Sequence, residues 1–300
     1  MSRALLAASV GALAVAVILF ERRRRRRAQV PSLPPCIVIS LERLQVARKR
    51  ALQRAAEAGL PDVEVFNAVN GRELDHEGLT RRGITLYAGW RLENTGFRFF
   101  DRELKWGEVG CALSHLGVWS RVLALSHPVA LVIEDDVDFI DGFADKLRAT
   151  LAEVTALVAG GAIAEPDAMY LARKAMRPEH DKLLPRATEC GGGHGGATRD
   201  RPCPVRLLVP GFSYKTTAYL LWSSGARKLL ASGFSGKLIP VDDFLALTYA
   251  PHEAKAGLPR HDLDELFANA PRLHMLAVRP QLCRERRGVS STENSKLISE

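Results

Sequence analysis

The sequence predicts an α/β domain with a mainly parallel β-sheet, placed behind an N-terminal membrane anchor. Strand, helix and strand patterns follow one another in the ~30 residues after position 36, which is typical of a βαβ unit and a parallel sheet. A long amphipathic pattern over 107–126 then leads into the apolar run 128–133, which is typical of a buried strand. Residues 4–20 form an apolar run near the lower length limit of a membrane span.

The N-terminal segment 1–27 is predicted to be a signal anchor with a polybasic flank, followed by a linker at 28–35 and one domain at 36–300. The alternative for the apolar run is a buried core helix. No small-x-small cleavage site precedes the arginines, so we expect a retained anchor. Arg22–Arg27 after the run favour a cytoplasmic location for the rest of the chain, whereas only Arg3 precedes the run.

The basic character of the chain lies in this N-terminal segment. The formal net charge of +8 falls to +2 without residues 1–27, because they carry seven of the 42 basic residues and one of the 34 acidic residues. The remaining domain is nearly neutral, so the sequence predicts no nucleic-acid partner.

The cysteines do not form a zinc-ribbon pattern. They lie at positions 36, 111, 190, 203 and 283, and no two of them form a CxxC pair. Cys190 and Cys203 flank a glycine-rich stretch and could form a disulfide in an oxidising compartment. His194 between them is weak evidence for a metal. The other three cysteines lie in apolar contexts and are predicted to be buried thiols.

The first βαβ unit begins at "CIVIS" (36–40), a β-branched run that predicts a buried strand. Residues 43–60 place apolar side chains at helical spacing, and Gly59-Leu60-Pro61 ends the pattern, which indicates a helix. "VEVFNAV" (63–69) predicts the second strand. Residues 71–105 are polar and mixed, and they predict loops with short helices.

The middle of the chain continues this alternation. Residues 107–126 carry their apolar side chains on one helical face, and 128–133 predicts a strand that ends in an acidic cluster. A helix is predicted over 142–158 and a strand over 168–172. Residues 173–208 predict an irregular insertion.

The C-terminal third predicts a strand at 216–222, a late strand at 273–278, and a short helix at 223–233. That helix has serines at its start and a glycine at its end. No internal repeat is evident, so the elements make up a single α/β domain.

The stretch "LVIEDDVDFID" crowds carboxylates at the end of a predicted strand, where open α/β sheets bind ligands. Three interpretations stay open on the residues alone. The acids could belong to a solvated loop and stabilise the start of the next helix, which suits Asp138 and Asp141 best. Glu134, Asp135 and Asp136 could hold a hard divalent cation. "DVD" could instead contain a phosphatase nucleophile.

A second acidic pair, Asp242 and Asp243 in "IPVDDFL", is the candidate general base. A carboxylate in a cleft can deprotonate an acceptor hydroxyl. The alternative is a helix N-cap before "FLALTY". Basic side chains after predicted strands are candidate diphosphate ligands: Arg43, Arg48, Arg50, Arg173 and Lys174.

Six segments in order resemble glycosyltransferase family 25. They are "ISLERLQVARKR", "GEVGCALSHLGVW", "LVIEDDVDF", "MYLARK", "GFSYKTTAYLLWSSGARKLL" and "IPVDDFL". The family includes bacterial lipooligosaccharide galactosyltransferases and procollagen hydroxylysine galactosyltransferases. The middle and late segments are most similar to the collagen-modifying branch, as is the C-terminal "VSSTENS". The resemblance spans roughly residues 36–295.

The resemblance implies a GT-A-like, nucleotide-sugar-binding fold, a UDP-galactose donor, Mn²⁺ (or Mg²⁺) and inversion at the anomeric carbon. It implies that Glu134 and Asp136 are metal ligands and that Asp242 or Asp243 is the catalytic base. It implies that the donor is bound by Arg43, Glu108, Ser114, His115, Asp135 and Arg173.

The expected activity is therefore transfer of galactose to a hydroxyl acceptor, either hydroxylysine of a collagen-like protein or a glycan. The resemblance to the collagen-modifying branch favours a single-pass protein of the endoplasmic reticulum or Golgi lumen, anchored through residues 4–20. The arginine run favours the cytoplasmic membrane face instead. The chain departs from the family pattern at Ser40, Leu44, Ala172 and Lys215, which bears on the nucleotide pocket and the acceptor.

Two other functions are alternatives to galactosyl transfer. A non-catalytic, membrane-anchored carbohydrate-binding protein of the same fold would be expected to have lost the acidic clusters, which are intact here. A phosphatase is favoured less, because Phe139 follows the second aspartate where aspartyl-phosphate phosphatases have Thr or Val.

Overall fold

The computed structural model describes residues 32–91, 93, 96, 98–187, 205–250, 262–286 and 296–299. Contacts group Leu33–Glu300 into one compact unit. In the described part of the chain, no helix is long and apolar enough to cross a membrane. This finding contradicts the predicted single-pass membrane location. Residues 4–20, on which that prediction depended, lie outside the described residues, and so do Cys190, His194 and Cys203.

Ten strands are assigned in the described residues. They are β1 (Cys36–Ser40), β2 (Val63–Asn67), β3 (Val129–Glu134), β4 (Val137–Phe139), β5 (Ala168–Ala175), β6 (Lys182–Leu183), β7 (Arg206–Val209), β8 (Ser213–Trp222), β9 (Met275–Arg279) and β10 (Cys283–Glu285). Eight of them form one sheet in the order β2-β1-β3-β8-β5-β9-β7-β6, and β4 pairs with β10.

The helices over the described residues are α1 (Gln45–Glu57), α2 (His76–Arg81), α3 (Trp106–Leu123), α4 (Phe143–Ala159), α5 (Ser223–Leu230), α6 (Val241–Tyr249) and α7 (Asp262–Leu266). Because successive strand side chains point to opposite faces, the sheet takes part in two hydrophobic cores. Ile37 and Val132 belong to the core that contains residues of α3, α5 and α6. Val38 and Leu131 belong to the other core, with residues of α1 and α4.

The sheet is mixed rather than mainly parallel. β1 is parallel to both β2 and β3, and β5 is parallel to β9. β8 is antiparallel to both of its neighbours, β3 and β5. Between the end of β5 at Ala175 and the start of β8 opposite it at Ser213, the chain adds the antiparallel strands β7 and β6 at the edge of the sheet. β8 then lies beside β5 in the opposite direction. A mixed α/β fold with one large sheet fits the expected GT-A-like class.

Most predicted elements are present within a few residues of the predicted ends, including α3 and α4. The helix-start interpretation of Asp138 is wrong, because Asp138 lies in β4 and pairs with Arg54 and Arg286, each at 3.7 Å. The N-cap of α4 is Gly142, and no side chain caps that helix.

Candidate active site

The ends of β1 and β3 place two polar groups side by side. Ile39 pairs with Glu134 in the parallel register, so Ser40 and the acidic stretch lie at the same carboxyl edge of the sheet. Ser40 Oγ donates a hydrogen bond to Asp135 Oδ2 at 2.6 Å. A predicted departure from the family pattern, Ser40, thus contacts the acidic cluster directly.

Helix α3 approaches the loop after β2 very closely, and glycines make this possible. A Cβ on Gly110 would lie 2.7 Å from Val69 O, and a Cβ on Gly71 would lie 2.2 Å from Trp106 O. Ser114 Oγ accepts a hydrogen bond from Val69 N at 2.8 Å and donates one to Gly110 O at 2.7 Å. Ser114 therefore holds this loop against the helix.

A cleft of about 100 Å³ lies between these elements. Five of the predicted site residues line it: Arg43, Ser114, His115, Glu134 and Asp135. The cleft is also lined by Asn70, Arg72 and Cys111. None of these three residues was predicted from the sequence to have a functional role. The signal for Asn70 and Arg72 was their position just after β2, at a strand end where α/β folds bind ligands.

The two acidic segments meet at Thr216 of β8. Thr216 Oγ1 lies 2.8 Å from Glu134 Oε1 and 3.2 Å from Asp242 Oδ1. A hydroxyl has one proton and can donate to only one of these carboxylates at a time. The arrangement therefore leaves one carboxylate without that donor.

The pKa values of these two carboxyls move apart. Burial raises the pKa of Asp242 to about 6, and the charge of Glu134 adds to this effect. Burial also acts to raise the pKa of Glu134, but the nearby His115 and Thr216 outweigh it and lower the pKa overall. Two carboxyls whose pKa values are pushed apart are typical of acid–base sites.

Asp136 has the least satisfied carboxylate of the cluster. Its Oδ1 atom is buried and has no hydrogen-bond partner among the described residues. Burial, then the charges of Glu134 and Asp135, raise the pKa of Asp136 to about 7. Burial likewise raises the pKa of Asp135, against the hydrogen bond from Ser40. A divalent cation placed beside these carboxylates would relieve this repulsion.

Two arginines fix the backbone of this acidic turn. Arg54 donates to Asp135 O at 2.6 Å and to Val137 O at 2.7 Å. The backbone N–H of Arg286 donates to Asp136 O at 2.8 Å. Arg54 lies within α1, where its spacing resembles that of any exposed helical arginine, so this role was not visible from the sequence pattern.

Two predicted donor ligands lie outside the lining of the cleft. Glu108 accepts from Nη1 and Nη2 of Arg102, at 3.0 and 2.7 Å, and from Lys105 N at 2.7 Å. It therefore fixes the start of α3. Arg173 donates to Ser213 Oγ at 2.7 Å and forms a buried ion pair with Asp181.

Asp243 and Asp242 lie in the first turn of α6 but have different surroundings. Asp243 is buried at 3% exposure, and burial together with its carboxylate raises the pKa of Tyr214. Asp242 is only partly buried, and its Oδ2 accepts from Lys215 N at 3.1 Å. Lys215 has a φ of 79°, a left-handed conformation that is uncommon for residues other than glycine. This local strain lies next to the candidate base.

A second group of potential metal ligands, which includes a thiol and an imidazole, lines the cleft. One ligand atom each from Cys111, His115 and Glu134 lies within 4.8 Å of the others. Cys111 is a free thiol, and burial followed by the charge of Glu134 raises its pKa. The apolar sequence context of Cys111 predicted a simple buried thiol, whereas the structure places it partly buried in the lining of the cleft.

Comparison with known proteins identifies the family to which this sequence is similar. Residues 33–245 match the family model described as Glycosyltransferase family 25 (LPS biosynthesis protein). Similar curated proteins include "Probable inactive glycosyltransferase 25 family member 3" of Rattus norvegicus, 33% identical over 86% of this chain. Others are "Inactive glycosyltransferase 25 family member 3" of Homo sapiens, 35% identical over 72%, and "Glycosyltransferase 25 family member" of Drosophila pseudoobscura pseudoobscura, 31% identical over 89%.

The match covers 40%, 31% and 38% of the lengths of these three relatives, so the chain spans well under half of each. The family model covers more than two thirds of this chain and includes both acidic segments. The chain therefore belongs to glycosyltransferase family 25.

Proposed function

We propose that the chain is a metal-dependent, inverting glycosyltransferase that moves galactose from UDP-galactose to a hydroxyl acceptor. The observation that carries the proposal is the position of Thr216, within hydrogen-bond distance of both Glu134 and Asp242. It joins a strand-end acidic cluster and a partly buried second carboxylate in one site. Family membership supplies the sugar donor and the acceptor as substrate classes.

The donor diphosphate would lie in the cleft beside the ends of β1 and β3. Arg43 and Arg72 line that cleft and supply positive charge for phosphate oxygens. Glu134 and Asp136 would hold Mn²⁺ or Mg²⁺, which fits the unpartnered, buried Oδ1 of Asp136. A bound divalent ion supplies charge that stabilises the departing diphosphate.

Asp242 is the proposed base. With a pKa of about 6 it is mostly ionised at neutral pH, yet it is more basic than an ordinary carboxylate. The hydrogen bond from Lys215 N orients it, and Thr216 Oγ1 lies 3.2 Å from its Oδ1 and donates there when its proton is not donated to Glu134. Asp242 would accept the proton of the acceptor hydroxyl as that oxygen attacks the anomeric carbon. Asp243 is the poorer candidate, because it is buried beside Tyr214.

Two acceptors are proposed, hydroxylysine in a collagen-like peptide and a glycan hydroxyl. The resemblance of the middle and late segments to the collagen-modifying branch supports the first acceptor. The family description, which names lipopolysaccharide biosynthesis, supports the second.

A non-catalytic carbohydrate-binding protein is the second candidate function. The observation that favours it is the word "inactive" in the names of similar mammalian proteins. The clustered carboxylates of this chain, with Oδ1 of Asp136 unpartnered among the described residues and Asp242 oriented by Lys215 N, favour catalysis instead.

Release of UDP distinguishes the two functions. The full chain is incubated with UDP-galactose, Mn²⁺ and a panel of hydroxylysine peptides and glycans, with EDTA as the metal-free arm. A transferase releases UDP in an acceptor-dependent and EDTA-sensitive manner. No UDP release with any acceptor, in protein that still binds a glycan of the panel, would establish the non-catalytic function. Release of phosphate from a phosphomonoester would instead indicate a phosphatase.

A further inference from the structure

We propose that Cys111, His115 and Glu134 form a zinc site that keeps one coordination position open to the cleft. This site differs in ligand type from the carboxylate site proposed for Mn²⁺. It depends on neither the sugar nor the transfer reaction, and it stands even if the chain transfers nothing.

The geometry brings three ligand atoms together from two elements. Cys111 and His115 lie four residues apart on α3, which places their side chains on one face of the helix. Glu134 ends the neighbouring strand β3. The three ligand atoms lie within 4.8 Å of one another. Tetrahedral zinc with bonds of ~2.0–2.3 Å holds its ligand atoms roughly 3.3–3.6 Å apart, so small side-chain rotations would close the site.

His115 is already oriented for a metal. His115 is fully buried, and its Nδ1 lies 2.8 Å from the hydroxyl oxygen of Tyr219. That oxygen accepts a hydrogen bond from Trp119 Nε1 at 3.2 Å. The other nitrogen, Nε2, is buried without a hydrogen-bond partner in the described residues and lies 3.7 Å from Glu134 Oε1. A buried polar atom left unpartnered is costly. A metal-binding histidine commonly has its second nitrogen held in this way.

The ligand types select the ion. A thiolate, an imidazole and a carboxylate together suit Zn²⁺, whereas Mg²⁺ and Mn²⁺ prefer oxygen ligands alone. Three protein ligands leave one position of a tetrahedral ion for water or a substrate oxygen. All three residues line the cleft, so that position faces it. On binding, the thiol proton of Cys111 leaves to solvent as the Zn–S bond forms.

Glu134 belongs to both proposed ion sites, so the two ions would compete for its carboxylate. One carboxylate cannot complete both ligand sets at full strength, so Zn²⁺ would weaken binding of Mn²⁺. Zinc would then act as a competitor at the mouth of the donor cleft.

Cobalt spectroscopy tests the site without an activity assay. The protein is prepared in a Cys190→Ser/Cys203→Ser background, because those cysteines and His194 lie outside the described residues and offer metal ligands of their own. Co²⁺ is added and the near-ultraviolet thiolate-to-cobalt charge-transfer band is recorded, followed by titration with Zn²⁺. The expected result is a band that saturates at one equivalent of Co²⁺ and disappears on addition of Zn²⁺.

Three further variants in that background locate the ligands. Cys111→Ser should abolish the band, and His115→Gln should weaken Co²⁺ binding at least ~10-fold. Cys283→Ser is the control, since it removes a different free thiol, which is buried in β10, and it should leave the band unchanged. Circular dichroism confirms that each variant is folded. No band in the background protein, a band that survives Cys111→Ser, or one that is lost in Cys283→Ser would overturn the proposal.

Discussion

The carboxylates of the acidic stretch are individually distinguished by their partners. Glu134 lies between Thr216 and His115, and Asp135 accepts from Ser40. Asp138 pairs with two arginines. Asp136 alone among these four has a buried oxygen without a partner in the described residues. Repulsion within the stretch is therefore concentrated at Asp136.

The Asp136→Asn variant should be more stable than the metal-free wild type at pH 8. Because its folded pKa of about 7 lies above the ordinary value of 3.8, Asp136 contributes stability at low pH that is lost as the pH rises through about 7. A pKa of about 7 against 3.8 corresponds to at most ~4 kcal/mol, and solvent around this partly buried side chain reduces the effect to about 1–2 kcal/mol. Urea unfolding at pH 4 and pH 8 measures the difference.

Asp141→Asn is the control for this experiment, because Asp141 is exposed in the same stretch. It should have no pH-dependent effect. Added Mn²⁺ should stabilise the wild type at pH 8 and stabilise Asp136→Asn much less. Equal stabilisation of both proteins by Mn²⁺ would argue against a cation at Asp136.

Asp242→Asn should lower kcat by about 10²–10⁴-fold, which is the usual contribution of a general base. The amide keeps the shape of the side chain and cannot accept the proton. Asp243→Asn should retain activity within about 10-fold. Initial rates of UDP release measure both, and thermal unfolding checks that the buried Asp243 position tolerates the change. If Asp243→Asn is folded and inactive while Asp242→Asn is active, the roles are reversed.

At the scale of elements, helix α1 supports the turn between β3 and β4. The Arg54 guanidinium bonds two backbone carbonyls of that turn and lies 3.7 Å from Asp138. Charge-assisted hydrogen bonds of this kind contribute more than neutral ones. The position of the acidic cluster therefore depends on a residue about 80 positions earlier in the chain.

Arg54→Ala should destabilise the fold by ~1–3 kcal/mol, because it leaves the carbonyls of Asp135 and Val137 without their donor. Arg50→Ala, at an exposed position of the same helix, is the matched control and should change stability by less than ~0.5 kcal/mol. Chemical denaturation measures both variants. If Arg54→Ala and Arg50→Ala change the stability by the same small amount, the turn keeps its structure without the Arg54 side chain.

Hydrophobic periodicity predicted the helices and strands whose pattern is contained within a short stretch of sequence. Helix α3 has a continuous apolar face, and Val129–Ile133 of β3 is buried at every position, so both were visible in the sequence. The direction of β8 was not visible, because it depends on where the chain re-enters the sheet after β5. The left-handed Lys215 gave no signal either, since lysine has no preference for that conformation.

At the scale of the whole molecule, the sheet assembles the site from distant segments. Motif similarity predicted the cleft residues of α3 and β3, because those residues lie within short recognisable blocks. It could not predict that Glu108 and Arg173 are engaged in ion pairs, since their partners Arg102 and Asp181 lie outside those blocks. Thr216 was missed as a site residue because a threonine in a β-strand is ordinary.

Metal-dependent binding of UDP is the most direct test of whether the acidic cluster forms a metal-dependent donor site. Calorimetric titration of the full chain with UDP is carried out with Mn²⁺ and with EDTA, for the wild type, Asp136→Asn and Asp141→Asn. We expect UDP binding that requires Mn²⁺, is weakened at least ~10-fold in Asp136→Asn, and is unchanged in Asp141→Asn. Binding of equal strength in EDTA and in Asp136→Asn would contradict it, because the acidic cluster would then not be part of a metal-dependent donor site.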